Sequence, residues 1–174
     1  MSNKLTILFV PMNALGHLNP MIGFAQNLYP KHRIIFAVSQ KSKGQLNKFG
    51  FEEEVYEVDD PLFNMEKSKM KEFIKETDFF GNKTPIQGWK ETAQSKYFLS
   101  GAKTANPKVE QIVDKVKPDL VVLDCTFILP SLIKNYPWIS LITPNINYTL
   151  FDERSPPLGL GALIIIIIHT IILL

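Results

Sequence analysis

The chain is poor in cysteine: Cys125 is the single one in 174 residues. That excludes an internal disulfide and leaves no cysteine–histidine spacing suited to a metal. A reducing compartment fits such usage. Charge of one sign is also lacking. Nineteen basic and 17 acidic residues leave a formal net charge of +2, too little to argue for nucleic acid or an anionic membrane as partner. The glycines form neither G-x-G-x-x-G nor a phosphate loop with its lysine, so no nucleotide signature stands in the sequence. No serine sits on a G-x-S-x-G elbow, so no covalent nucleophile is evident. A secretory leader is not read either. Lys4 precedes an apolar run at residues 5–10, but Pro11, Asn13 and His17 interrupt it and no cleavage site follows. The expectation is a cytoplasmic protein, in which the glycosylation sequons at Asn82 and Asn147 carry no meaning.

What remains is an ordinary globular composition, 45% hydrophobic and 21% charged. The length suits one domain with one core. Twelve phenylalanines and 12 prolines point to a packed core with many loop breaks. Residues 5–10 are continuously apolar, the pattern of a strand buried on both faces. A loop through Asn19 is expected next. There Gly16 would let the backbone turn tightly, Asn19 would cap a helix over residues 21–28, and Pro20 would start it. Residues 33–38 read as a second strand, 42–49 as a short helix stopped by Gly50, and 54–58 as a third strand. This β-α-β-α-β order is half of a doubly wound parallel sheet, so the predicted class is α/β, Rossmann-like.

Residues 59–105 change character. Two helices are expected, over 65–80 and 86–105, and such an insertion often supplies the wall of a pocket. Trp89, Tyr97 and Phe98 are the larger apolar groups on the second helix. Packing against the sheet explains any one of these aromatics equally well. Asn106 and Pro107 then read as the cap and first residue of a helix to Val116. Residues 120–123 form a short buried strand with Asp124 at its carboxyl end. A helix over 127–135 and a strand over 138–142 follow, and Asn145 leaves that strand at the ligand-binding edge of the sheet.

Residues 158–174 stand apart. They are almost wholly apolar, with five isoleucines at 164–168. Seventeen residues is the lower limit for a membrane span, His169 and Thr170 weaken it, and no basic flank anchors it. A frameshift, intron read-through or truncated gene produces such a run, and this reading ranks ahead of a membrane anchor.

Two polar residues carry the chemistry. His17 and Asp124 stand at the carboxyl ends of different strands, which can lie side by side in a doubly wound sheet. A carboxylate on one ring nitrogen fixes the histidine tautomer and stabilises the imidazolium formed when the other nitrogen takes a proton. Such a base can deprotonate a substrate hydroxyl. The plainer alternatives are a surface-loop histidine and an aspartate capping the next helix. Cys125, beside them, is expected to be buried.

These residues carry a resemblance. Ile7-Leu8-Phe9-Val10-Pro11, then Gly16-His17-Leu18-Asn19-Pro20 and a helix, resemble the start of family-1 UDP-glycosyltransferases, which include glucosyl-, glucuronosyl- and macrolide glycosyltransferases. Lys117-Pro118-Asp119-Leu120-Val121-Val122-Leu123-Asp124 looks like the strand that delivers the family's catalytic aspartate. Residues 138–143 look like the next strand, and Pro156-Pro157-Leu158-Gly159-Leu160-Gly161 resembles the loop after it. The likeness covers about residues 4–161.

The resemblance implies a GT-B fold, two Rossmann-like domains facing across a cleft, with residues 1–161 as the N-terminal, acceptor-binding one. It implies that His17 deprotonates an acceptor hydroxyl and that Asp124 balances His17. The hydroxyl would then displace UDP from a UDP-sugar with inversion, on a small lipophilic acceptor, in the manner of detoxifying hexosyltransferases. Gly16, Trp89, Phe98 and Asn145 are the acceptor-binding candidates. No cofactor or metal is implied; the UDP-sugar is a co-substrate. The family's donor signature, with its tryptophan and H-x-G motif, is absent from the sequence. The expectation is therefore a truncated enzyme that does not transfer sugar alone, with a low-complexity tail at 162–174. A non-catalytic binding protein for small lipophilic molecules is the competing reading.

Overall fold

The structure is a computed structural model that describes residues 4–58, 93–127 and 129–141, without the side chains of residues 93–99. Five parallel strands form one sheet in the order β3-β2-β1-β4-β5. They are β1 (Thr6–Val10), β2 (Arg33–Ser39), β3 (Glu52–Tyr56), β4 (Leu120–Asp124) and β5 (Trp138–Leu141). Helix α1 (Leu15–Leu28) links β1 to β2, α2 (Ala93–Val116) precedes β4, and α3 (Pro130–Asn135) links β4 to β5. The predicted α/β, doubly wound class is the observed one.

Strand alternation sorts the core into two layers. Ile7, Phe9, Phe36 and Val38 face α1, packing with Leu18, Met21, Ile22 and Ala25. Leu8, Val10, Ile35, Ala37, Val121 and Leu123 face the other way, onto Val109, Ile112 and Val113 of α2 and Leu132 of α3. Phe9 stacks on Phe36 with ring centroids 4.8 Å apart, and Phe36 stacks in turn on Phe51.

Several boundaries differ from expectation. Helix α1 starts at Leu15, not at residue 21, so Asn19 is an exposed helical residue and Pro20 lies inside the helix. The reason is its apolar stripe: buried Leu18 stands at helical spacing with Met21, Ile22 and Ala25. Residues 42–49 form no α-helix; two 3₁₀ turns, Gln40–Ser42 and Asn47–Phe49, stand there, with Gly44 at φ 81° between them. Gly50 does stop the second turn, at φ 79°.

Strand β3 begins two residues early and takes in Glu52, Glu53 and Glu54. Each glutamate has a partner that makes the charge tolerable. Glu52 forms a two-pronged pair with Arg33 (2.7 and 2.6 Å), and Glu54 pairs with Lys115 at 2.8 Å. Glu53 accepts the backbone N–H groups of Gly44 and Leu46, which ties the loop after β2 onto β3.

The two helices expected to meet at Asn106 are one continuous helix, α2, with Pro107 inside it. Pro107 removes one backbone hydrogen bond at a cost of about 3 kcal/mol. Burial of Ala105, Val109, Ile112 and Val113 on both sides of it offsets that cost. Asn106 does act as a cap, but for another helix. Its Oδ1 accepts the Ser131 backbone N–H (3.3 Å) and hydroxyl (2.9 Å) in the first turn of α3. Helix α3 itself starts at Pro130 rather than residue 127, because proline suits a first helical position. The helix expected at 65–80 and the tail at 158–174 lie outside the described residues. Among those residues no helix is long and apolar enough to cross a membrane.

Candidate active site

Strand order brings the two candidate residues together. The β1 and β4 strands are hydrogen-bonded neighbours, with Val10 in register with Leu123. Between them the chain reverses its direction of spread across the sheet, and ligands of open α/β sheets bind at such a switch point, outside the carboxyl ends of the strands. His17 lies in the first turn of α1, which rises from the end of β1. Asp124 is the last residue of β4. Along β4 the side chains alternate between the two layers: Val121 and Leu123 pack toward α2, whereas Val122 packs on the α1 side. By the same alternation Asp124 points toward α1 and meets His17.

The contact is direct. His17 Nδ1 lies 2.9 Å from Asp124 Oδ2. The Asp124 side chain is 0% exposed and that of His17 is 16% exposed. The carboxylate is thus sealed from water while the ring keeps a path to it. Burial pushes the Asp124 carboxyl up, but the hydrogen bond and charge of His17 and two hydrogen bonds from Thr126 outweigh it and hold the group below its ordinary value. The aspartate is therefore an anion, and it favours a proton on His17 Nδ1, which directs proton uptake to Nε2.

Thr126 is a site residue that the sequence pattern does not single out. Its backbone N–H (2.8 Å) and its hydroxyl (2.6 Å) both donate to Asp124 Oδ1. The same hydroxyl lies 3.5 Å from His17 Nδ1 and 3.4 Å from Met12 Sδ. The signal that could have found it is the Asp-x-Thr spacing at a strand end, where an aspartate commonly accepts the backbone N–H two residues on.

Solved glycosyltransferase structures share this architecture. The chain is similar to the glycosyltransferase of kitacinnamycin, at 18% identity and a TM-score of 0.55, over 80% of this chain and 30% of that one. It is similar to the glycosyltransferase SnogD from Streptomyces nogalater, at 19% identity and a TM-score of 0.54, over 80% of this chain and 34% of that one. The fold is the Rossmann-like one that part of each of these glycosyltransferase structures adopts. A third neighbour is LpCGTa, solved in complex with UDP, at 15% identity and a TM-score of 0.53, over 84% of this chain and 33% of that one. The chain thus spans about a third of the length of these proteins. No protein-family model and no curated protein matches the sequence.

The other candidates on this glycosyltransferase-like fold fare unequally. Gly16 is not in a tight turn. It is an exposed helical residue in the first turn of α1, and a Cβ built there meets nothing within 4 Å. The backbone at Gly16 therefore does not require glycine, and a Cβ there has room. Phe98 falls on α2, but its side chain, like all of Trp89 and Asn145, lies outside the described residues. Cys125 is half-buried, not fully buried, because it follows the last strand residue and sits at the sheet's edge. Leu15, next to Gly16, is an addition to the candidates: it is 62% exposed at the start of α1. Among the described residues no group of three or more His, Cys, Asp or Glu could hold a metal ion.

Proposed function

We propose that this domain supplies the acceptor site and the base of an inverting glycosyltransferase that uses a UDP-sugar. The observation that carries the reading is the 2.9 Å contact between His17 Nδ1 and Asp124 Oδ2 at the carboxyl edge, between β1 and β4. His17 Nε2 takes the proton of an acceptor hydroxyl, and the Asp124 carboxylate stabilises the resulting imidazolium. The hydroxyl oxygen attacks the anomeric carbon of the sugar. The bond from that carbon to the phosphate oxygen breaks, UDP leaves with the electron pair, and the configuration inverts. Use of UDP is supported by the neighbour solved with UDP.

The acceptor in this reading is a small lipophilic alcohol or phenol. Exposed Leu15 and side-chain-free Gly16 directly precede His17 on α1 and offer apolar contact and room for it. Residues 1–161 form the acceptor domain, and the insertion at 59–105, with Trp89 and Phe98, and Asn145 complete the pocket. The donor half of the cleft belongs to a second domain, so the 174 residues alone do not turn over. The low-complexity stretch of the sequence at 162–174 has no part in this reading. Glycosylation of such acceptors in the cytoplasm serves detoxification.

The test is His17→Ala in the complete two-domain enzyme. Transfer should fall by about 10²–10⁴ with UDP-sugar binding unchanged, the usual worth of a general base. Activity that survives the substitution rejects His17 as the base. Turnover by the purified 174-residue chain with UDP-glucose and a phenolic acceptor rejects the need for a second domain.

A further inference from the structure

We infer that Thr126 is a positioning residue of the His17–Asp124 pair: by holding Asp124 Oδ1 with two donors, it aims Oδ2 at the imidazole. The inference rests on the reading of His17 as the base, and it adds a group that does not touch substrate.

The geometry is specific. A carboxylate can rotate about its last torsion, and that rotation is soft. Here one oxygen is fixed twice, by the Thr126 N–H at 2.8 Å and by its hydroxyl at 2.6 Å. A hydroxyl has one proton, and the 2.6 Å contact takes it; the 3.5 Å approach to His17 Nδ1 is too long to compete. With Oδ1 pinned, Oδ2 is aimed toward α1, and His17 Nδ1 stands there at 2.9 Å. Met12 Sδ, 3.4 Å from the hydroxyl, packs against it from the loop after β1. The hydroxyl is thus held between Asp124 at the end of β4 and Met12 in the loop after β1.

The arrangement also fixes which side of the Asp124 head group must be an acceptor. Both Thr126 groups donate to Oδ1, so an amide at this position would turn its oxygen to Thr126 and its NH₂ to His17. That reverses the proton pattern of the ring: Nδ1 would accept, and the proton would move to Nε2, the wrong nitrogen for a base.

The experiment is long-range ¹H–¹⁵N correlation of the His17 ring in the intact 174-residue chain, which reports the tautomer without any turnover. Wild type and Thr126→Ser should carry the proton on Nδ1. Thr126→Val should lower the Nδ1–H to Nε2–H ratio about tenfold, the worth of one hydrogen bond to a charged group, with the backbone amide spectrum otherwise unchanged. Asp124→Asn, independently, should move the proton to Nε2. A wild-type ratio in Thr126→Val, or a retained Nδ1–H in Asp124→Asn, overturns the inference; if Thr126→Val does not fold, the Asp124→Asn arm decides. Failure of the base reading is read elsewhere, as survival of transfer in His17→Ala, and leaves these tautomer results as they are.

Discussion

Ser39 and Tyr56 are register partners at the carboxyl ends of β2 and β3, and both bury a hydroxyl with no hydrogen-bond partner among the described residues. Burial pushes the Tyr56 hydroxyl well above its ordinary pKa. An unsatisfied buried hydroxyl costs about 1–3 kcal/mol. Tyr56→Phe keeps the ring in its cluster with Ala37 and Val109 and removes the cost. It should raise the urea midpoint by the equivalent of about 1 kcal/mol. A lowered midpoint would mean that a buried water bridges the hydroxyl.

Asp124 makes the chain sensitive to acid. Its folded-state pKa lies below the unfolded value of about 3.9. Its contribution to stability is therefore complete above about pH 4 and is lost as pH falls through the lower, folded-state value. Urea unfolding between about pH 5 and about pH 2 should show a steeper loss for the wild type than for Asp124→Asn. Equal slopes would remove the carboxylate from the acid response.

Gly16→Ala separates stability from function. The position is helical and has open space, so alanine should stabilise the chain by up to about 1 kcal/mol. If the acceptor approaches the backbone beside His17, the added methyl should weaken acceptor binding at the same time. Calorimetric titration of the chain with a phenolic ligand, beside a thermal melt, measures both. Tighter folding with unchanged binding would take Gly16 out of the acceptor site.

Asn106→Ala should cost about 1 kcal/mol, the usual worth of a helix cap, although residue 106 lies in the middle of a helix. The loss should appear as faster amide exchange in the first turn of α3 rather than in α2. Exchange that quickens along α2 instead would return Asn106 to its own helix.

Gly50→Ala should destabilise by about 1–2 kcal/mol, since the residue stands at φ 79° in the left-handed region and a Cβ would lie 2.9 Å from the Tyr29 hydroxyl. Chemical denaturation measures it, and a neutral result would mean that the turn relaxes.

The strands and their buried character are legible because apolar runs such as residues 5–10 have no other use in so short a chain. His17 and Asp124 are legible as strand-end polar groups, and the sheet order that joins them follows from the doubly wound pattern. Helix starts mislead where proline is given its commonest role. Pro20 and Pro107 lie inside helices because Leu18 and Ala105, on their N-terminal sides, already belong to buried stripes. Glu52 and Glu53 hide the start of β3, which the sequence places at Glu54, since only the fold brings Arg33 and the loop amides to them. Thr126 escapes the sequence because its role is a relation to a side chain, not a pattern along the chain.

The β1–β4 pairing has a consequence for the His17 ring. His17 is made early in the chain and Asp124 107 residues later, with β2 and β3 laid down between them on the far side of β1. The residues from β1 to β3 contain the imidazole but not the carboxylate that sets its tautomer. The loop-closing entropy of that long connection must be met before β4 can dock. The tautomer of the His17 ring is therefore set by pairing across the sheet and not by its own helix: it depends on β4 lying beside β1.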